Sequence, residues 1–249
     1  MKMGSDESGR GIGSKGLLMG RSIDGRADLA RALDELNREQ VILRLSPGEV
    51  VSSDQMEVLK VGYVMDGSIS RKVSNGGSRY FVAAIMVSGD LIGIDCLFET
   101  RHSQCVYISR EATRLCLFPS VRVREVMDIS SQLSESFLEM QSRYIQEFLS
   151  HMQVMSNKSL RTRVAAGILY FNGKLGSRPW TNKELAAWAG VTQEGVGRCF
   201  TDFLAKGLVR KTGRRTQIQN RQVLEDIASE FKADKAPHLV SFLVSAKEE

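Results

Sequence analysis

The stretch from Thr181 to Phe203 constrains this chain more than any other. Thr181-Asn182-Lys183-Glu184 is a capping box, in which the Thr hydroxyl and the Glu carboxylate each satisfy an orphan amide at a helix start. The helix it opens carries Leu185, Ala186 and Trp188 and stops at Gly190, where a residue without a Cβ turns left-handed at no steric cost. Val191 follows, and Thr192 caps a second helix predicted over 193–206, with Val196, Cys199, Phe200 and Phe203 on its inner face. Two short helices across a tight Gly turn make a helix-turn-helix. Beyond Gly207, residues 208–218 read as strand, basic turn, strand: a wing.

Charge agrees with this pattern. The segment from Asn157 to Arg221 holds 13 Lys and Arg against 3 Asp and Glu, leaving 21 bases and 26 acids elsewhere in a chain of net charge +5. A basic third on a mildly acidic body is the electrostatic footprint of a nucleic-acid-binding module. Glu194 and Arg198 are i and i+4 on the second helix and share a face. An Arg can bind guanine bidentately, a Glu can accept from cytosine N4, and a Gln can pair with adenine. Gln193, Glu194, Gly197 and Arg198 are therefore the base-reading candidates, with Gly197 allowing close approach to the groove. The plainer alternative for Glu194 and Arg198 is a surface ion pair. Thr181, Thr192, Lys183, Lys211, Arg214 and Arg215 are the phosphate-contact candidates.

The preceding two thirds have a different texture. At 249 residues the chain is long enough for one large or two small domains, and 42% apolar and 25% charged residues exclude a largely disordered chain. Residues 1–25 lack periodicity and read as a mobile tail; the G-x-G-x-x-G match at Gly11 to Gly16 has no strand before it and carries no dinucleotide signal. A short amphipathic helix is expected from Arg26 to Glu39. From Val41 to about Phe118, short runs rich in Val, Ile, Tyr and Phe alternate with Ser46-Pro47-Gly48, Asp66-Gly67, Asn75-Gly76-Gly77 and Ser88-Gly89-Asp90, the pattern of a β-sandwich or barrel-like roll. Asp66-Gly67 and Asn75-Gly76 are expected hairpin corners. Pro119 opens a short helix.

A long helix is then expected to about Ser156, with Leu133, Phe137, Met140, Tyr144, Phe148, Met152 and Met155 at gaps of 4, 3, 4, 4, 4 and 3. That stripe serves either to pack the helix on its own roll or as a parallel two-helix seam. Its length and narrowness favour a homodimer interface of Phe137, Met140, Tyr144, Phe148, Met152 and Met155. Another helix, marked by Leu160, Val164, Ile168 and Phe171, is expected to end in a loop from Gly173 to Pro179.

Several classes of protein are set aside. No run approaches the ~20 apolar residues of a membrane span, and the polar N-terminus lacks the apolar core of a secretion signal. Cys96, Cys105, Cys116 and Cys199 show no CxxC pairing, so a disulfide framework or zinc ribbon is not indicated and a reducing cytoplasm is the expected compartment. Cys96, Cys105 and Cys116 read as small buried apolar residues and Cys199 as core. His102, His151 and His238 are too scattered for a metal cluster, so no metal and no catalytic residue is assigned. The rival is a roll-fold metal or thiol enzyme with a nucleic-acid-binding appendage, built on Cys105 near His102.

Several motifs now converge on one resemblance, which covers about Leu36 to Ala228. Val191 to Phe200 (V-T-Q-E-G-V-G-R-C-F) is similar to the recognition helix of the Crp/Fnr family of bacterial transcription regulators, with its E-x-x-x-R core. Ser88 to Gly93 and Leu97 to Glu99 resemble that family's G-D-x-I-G-x-x-x-L-F-E signature, and Tyr63 to Ser68 its strand and turn. The resemblance implies an α+β chain with an N-terminal, jelly-roll-like β-roll as effector domain over 26–130. A dimerisation helix over 131–156, a winged helix-turn-helix over 157–235 and a C-terminal tail over 236–249 would follow. It implies a sequence-specific regulator that binds double-stranded DNA as a homodimer on a palindrome. Glu194 and Arg198 would read a G·C pair in each half-site, and RNA polymerase would be a partner if the protein activates.

The departures from the family are chemical. Ile94 stands where cyclic-nucleotide binders carry a ribose-holding Glu, and Gln104, followed by Cys105, stands near where they carry a phosphate-holding Arg. An isoleucine accepts no hydroxyl and a neutral amide neutralises no buried phosphate, which argues against cyclic AMP. No cysteine precedes Cys96, which argues against the iron–sulfur cluster of oxygen-sensing members, and haem through His102 or His151 is disfavoured. No cofactor is expected. An unidentified small effector is expected in a pocket of Ile94, Gln104, Cys105, Tyr144 and Phe148. An effector-independent regulator, its pocket filled by side chains such as Ile94, is the alternative within the family.

Overall fold

The computed structural model describes residues 40–51, 60–74, 80–94, 97 and 105–229. The expected tail, the helix at Arg26 to Glu39, Cys96, His102, Gln104 and His238 lie outside them.

Eight strands form two antiparallel four-stranded sheets. They are β1 (Val41–Leu45), β2 (Val50–Val51), β3 (Lys60–Asp66), β4 (Ser68–Ser74), β5 (Tyr80–Val87), β6 (Leu91–Ile92), β7 (Cys105–Ser109) and β8 (Thr113–Pro119). One sheet has the order β1-β8-β3-β6 and the other β2-β7-β4-β5. β4 and β5 pair around the Asn75-Gly76 segment, with Ser74 opposite Tyr80, as the turn chemistry predicted. Asp66-Gly67 is no hairpin corner: β3 and β4 lie in different sheets, so the chain changes layers there. Gly67 is required at this crossing, because its φ is +92° and a Cβ would meet the Thr113 side chain and the Ala112 carbonyl. The Gly89-Asp90 turn is likewise structural, since the Asp90 carboxylate accepts from Val87 N at 2.8 Å.

Strand β8 shows why this region reads as near-continuous apolar sequence. Leu115 and Leu117 point between the sheets, with Val64, Ile69, Met86 and Ile92. Cys116 and Phe118 point outward and are covered by helices. With both faces buried, a strand has no solvent-facing position to carry polar residues.

Six helices follow or flank the wing: α1 (Ser120–Ile129), α2 (Ser131–Ser156), α3 (Leu160–Leu175), α4 (Asn182–Ala189), α5 (Gln193–Ala205) and α6 (Arg221–Ser229). The wing strands are β9 (Val209–Thr212) and β10 (Arg215–Ile218), paired antiparallel. Helix α3 runs through Gly173 and Lys174 to Leu175, beyond its expected end; Gly176, at φ +59°, closes it.

The long helix departs from expectation in what its stripe covers. Leu133, Phe137 and Met140 are buried within the protomer, against Val61, Leu91, Ile94 and Phe118. The Tyr144 hydroxyl accepts from Leu91 N at 2.9 Å and donates to Leu91 O at 3.1 Å, satisfying the backbone of edge strand β6. Met155 covers the turn between α4 and α5, its terminal methyl lying where a Cβ on Gly190 would be. Of the six residues expected at a dimer seam, only Phe148 and Met152 are exposed, each 54%. Leu138, Ile145 and Leu149 are exposed beside them, and this second stripe runs along a neighbouring face of the helix.

The second sheet is tied to the helices through its edge strand. Between Arg71 and Lys72 the β4–β5 register shifts, so Ala83 is an extra residue on β5. The bulge lets Val82 and Ile85, three apart, both face the helices while Ala84 and Met86 face the roll interior. It also frees the Ala83 carbonyl, which lies 3.3 Å from His151 Nδ1 on α2. His151 Nε2 donates to Trp188 O at 2.8 Å, one of the last carbonyls of α4. The imidazole is stacked between Phe81 and Trp188, at centroid distances of 4.9 and 4.2 Å. One side chain thus joins the long helix, the roll and the helix-turn-helix, the reading head of the sequence-based expectation.

Burial holds the His151 pKa below its usual 6.5, opposed by the Trp188 and Ala83 carbonyls and by Glu147. A base whose folded pKa is depressed binds protons more readily when unfolded, so stability rises with pH across the window between the two values. The His151 contribution is complete above about pH 6.5 and is lost as pH falls through the lower folded value. Urea unfolding at pH 5.5 and 7.5 is expected to show a smaller acid-side loss for His151→Phe than for the wild type.

Candidate nucleic-acid interface

The local chemistry of α4 and α5 is what the sequence predicted. Glu184 N donates to Thr181 Oγ1 at 3.1 Å and Thr181 N donates to Glu184 Oε2 at 2.8 Å, closing the capping box. Gly190 takes φ +61° and ends α4. Gly195 N donates to Thr192 Oγ1 at 3.1 Å and opens α5. Val196, Phe200 and Phe203 bury one side of α5 against Val164, Ile168, Leu185 and Trp188. Burying a large apolar side chain contributes ~1.5–3 kcal/mol, so this inner face fixes which residues α5 presents outward.

Gln193, Glu194 and Arg198 are exposed on that outward side. No ion pair joins Glu194 to Arg198 among the described residues, so the surface-pair alternative is not what the geometry forms. Gly197 lies between them with nothing within 4 Å of where a Cβ would stand, whereas a Cβ on Gly195 would meet Leu160 Cδ1 at 2.8 Å. Gly195 is small because α3 packs there; Gly197 is small on a face that touches nothing in the protomer.

The phosphate candidates divide. Lys183, Arg214 and Arg215 are exposed. Lys211 lies 4.9 Å from the centroid of the Phe200 ring, which steadies it on the wing. Thr192 accepts through its oxygen and keeps its hydroxyl proton. Thr181 gives its proton to Glu184 Oε2 at 2.9 Å, so its hydroxyl serves the cap rather than an incoming phosphate.

Two features escaped sequence reading. Arg110, in the turn between β7 and β8, donates through Nε to Glu184 Oε1 at 2.6 Å and through Nη2 to Pro179 O at 3.1 Å. Burial raises the Glu184 pKa, but the Arg110 hydrogen bond and charge outweigh it and hold the carboxyl below its usual value. Arg178 reaches the roll in the same region, bonding Gly67 O at 3.3 Å. Nothing in the spacing of residues 110 and 184 marks them as partners.

Of the expected effector pocket, Gln104 lies outside the described residues, and Ile94 and Tyr144 are brought together in one apolar cluster. Ile94, 5% exposed, is packed with Leu91, Leu97, Phe137 and Met140. Cys105 accepts from Arg71 Nε at 3.2 Å. Phe148 is exposed and walls nothing in this protomer. Burial pushes the Cys116 thiol up to about 11 and raises that of Cys199, so both stay protonated near neutrality, as small core residues do. Among the described residues, no group of three or more His, Cys, Asp or Glu side chains converges. None of the described helices is long and apolar enough to cross a membrane.

Comparison with known proteins places this geometry. Residues 162–227 match the family model described as a Crp-like helix-turn-helix domain. Over 206 residues, 77% of this chain and 82% of the relative, the sequence is 23% identical to the transcriptional regulatory protein btr of Bordetella pertussis. It is 21% identical to the fumarate and nitrate reduction regulatory protein of Escherichia coli K12, covering 79% of this chain and 82% of that one. Residues 162–227 thus carry a Crp-like helix-turn-helix domain, and over most of its length the chain is similar to transcription regulators of the Crp/Fnr family. Its fold is similar to that of FixK2 from Bradyrhizobium japonicum, with a TM-score of 0.66, 19% identity and coverage of 79% of this chain and 99% of that one.

In this chain, Gly197→Ala separates folding from binding. Replacing a helix-interior Gly by Ala stabilises by ~0.5–1 kcal/mol, and at half-buried Gly197 no neighbour resists the added methyl. The variant is expected to melt at a higher temperature than the wild type while binding duplex DNA more weakly. Calorimetry and fluorescence anisotropy on one preparation check both halves.

Proposed function

We propose that this chain is a Crp/Fnr-family regulator that binds a palindromic operator as a homodimer and reads bases with Gln193, Glu194 and Arg198 at the start of α5. The observation that carries the reading is that Glu194 and Arg198 are exposed, unpaired with each other and separated by a glycine on a bare face. Glu194 accepts from a cytosine N4 and Arg198 donates to the paired guanine, so one base pair is read from both edges. Lys183, Thr192, Lys211, Arg214 and Arg215 position the head on phosphates, which fixes register without carrying sequence. Two-fold symmetry then sets half-sites about one helical turn apart.

The dimer seam in this reading is Leu138, Ile145, Phe148, Leu149 and Met152, the exposed stripe of α2. Its gaps of 7, 3, 1 and 3 follow the heptad spacing of a two-helix contact. Within the family, the effector-independent reading is favoured over a filled effector pocket, because Ile94 occupies the space between the roll and α2 with its own side chain. The protein acts in the compartment of its DNA, the cytoplasm.

Two outcomes are expected. Arg198→Ala loses discrimination at one G·C position per half-site, ~1–3 kcal/mol in a competition assay against the substituted duplex. Ile145→Glu, which places a charge in the seam and touches no roll residue, is expected to sediment as a monomer at micromolar concentration and to bind half-sites without cooperativity.

A further inference from the structure

A cleft of about 860 Å³ separates the roll from the reading head. The roll side is walled by Lys72, Tyr80 and Phe81, and the head side by Lys183 and by Gln193 and Glu194 at the start of α5. We propose that the roll itself grips operator DNA: the duplex seated on α5 crosses the mouth of this cleft, and Lys72 of β4 donates to a backbone phosphate. The proposal rests on the base-reading role of α5 argued above.

Three observations support it. First, continuity: Gln193 and Glu194, two of the three residues assigned to the base edges, line the same cleft as Lys72, so a duplex that reaches them passes along its opening. Second, charge: of the two acids that line the cleft, Glu184 is already held by Arg110 at 2.6 Å and Glu194 is the one assigned to a base edge, and no ion pair engages Lys72 or Lys183 among the described residues. Burial is the main cause of the lowered Lys72 pKa; of the charges it feels, attraction to Glu184 comes first, opposed by repulsion from Lys183 and Arg110. A phosphate oxygen is the group that relieves such crowding, and double-stranded DNA supplies one negative charge per ~1.7 Å of axis. Third, placement: the register shift with β5 falls beside Lys72, and ordinary alternation along β4 keeps Lys72 on the outer face, away from Ile69 in the roll interior. Lys72 shares its sheet face with Ser68 and Ser70, the face the reading head covers. Burial has removed part of its water shell and lowers its pKa, so the ammonium gives up less hydration on meeting a phosphate.

The experiment starts from a duplex selected out of a random pool by the full-length wild-type protein. Anisotropy titrations from 50 to 200 mM salt are then run with the wild type, Lys72→Ala, Lys72→Arg and Arg198→Ala. Lys72→Ala is expected to weaken binding roughly five- to tenfold, by the same factor on selected and unrelated duplexes, and to lower the log–log salt slope by about one per protomer engaged. Lys72→Arg is expected to restore both. An unchanged salt slope for Lys72→Ala, or a loss confined to particular base sequences, would overturn the proposal. So would unchanged DNA binding combined with loss of saturable inorganic phosphate binding by the free protein, since the cleft would then hold a small anion. The two readings fail separately. If Arg198→Ala leaves base preference intact while Lys72→Ala flattens the salt slope, the base-reading assignment falls and the roll contact stands.

Discussion

The structure depends on how edge strand β5 is finished. An edge strand presents unpaired amides and carbonyls, and burying them without partners costs free energy. Here the Ile85 amide donates to the Tyr170 hydroxyl at 2.9 Å, and the Ala83 carbonyl meets His151. Tyr170 in turn donates to Glu147 Oε1 at 2.7 Å, and Lys174 pairs with the other Glu147 oxygen at 2.7 Å. Through this chain of bonds α2, α3 and β5 become one unit. Val82 and Ile85 enter the same apolar cluster as Val164, Trp188 and Phe203, so roll and reading head share a core.

That shared core gives the family's architecture a particular mechanical meaning in this protein. A head joined to the roll by exposed polar contacts alone would swing freely, because surface ion pairs contribute only ~0–1 kcal/mol. A head joined by buried aromatic stacking and strand capping holds one orientation. Arg110 sits at the rim of that joint and clasps the glutamate that also caps α4, so one carboxylate serves local helix formation and the roll–head contact together.

Local signals in the sequence were legible where a short segment satisfies itself. The capping box at Thr181, the left-handed Gly190, the Thr192 cap and the apolar spacing of α5 each involve residues within four positions of one another, and each forms as read. The wing turn at Gly213 and the hairpin between β4 and β5 belong with them. The same reasoning misassigned Asp66-Gly67, since a D-G pair permits a tight corner but does not say whether the next strand pairs with the last or crosses to the other layer. The α2 stripe left its two readings open for a related reason. Both Leu133-Phe137-Met140-Tyr144 and Leu138-Ile145-Phe148-Met152 recur at helical spacing, and periodicity alone does not say which faces the roll.

The sequence by itself determined the helix-turn-helix, its wing, the two-sheet character of the strand region and the chemistry available on α5, because these rest on caps, turns and repeat periods that neighbouring residues impose. Only the tertiary structure decided that Ile94 is core, that Tyr144 bonds the backbone of β6 and Met155 covers Gly190, and that Arg110 and His151 bond residues of the helix-turn-helix. Those pairings join residues tens of positions apart. They are fixed by the packing of a bulged strand against three helices, a constraint that no local window of sequence contains.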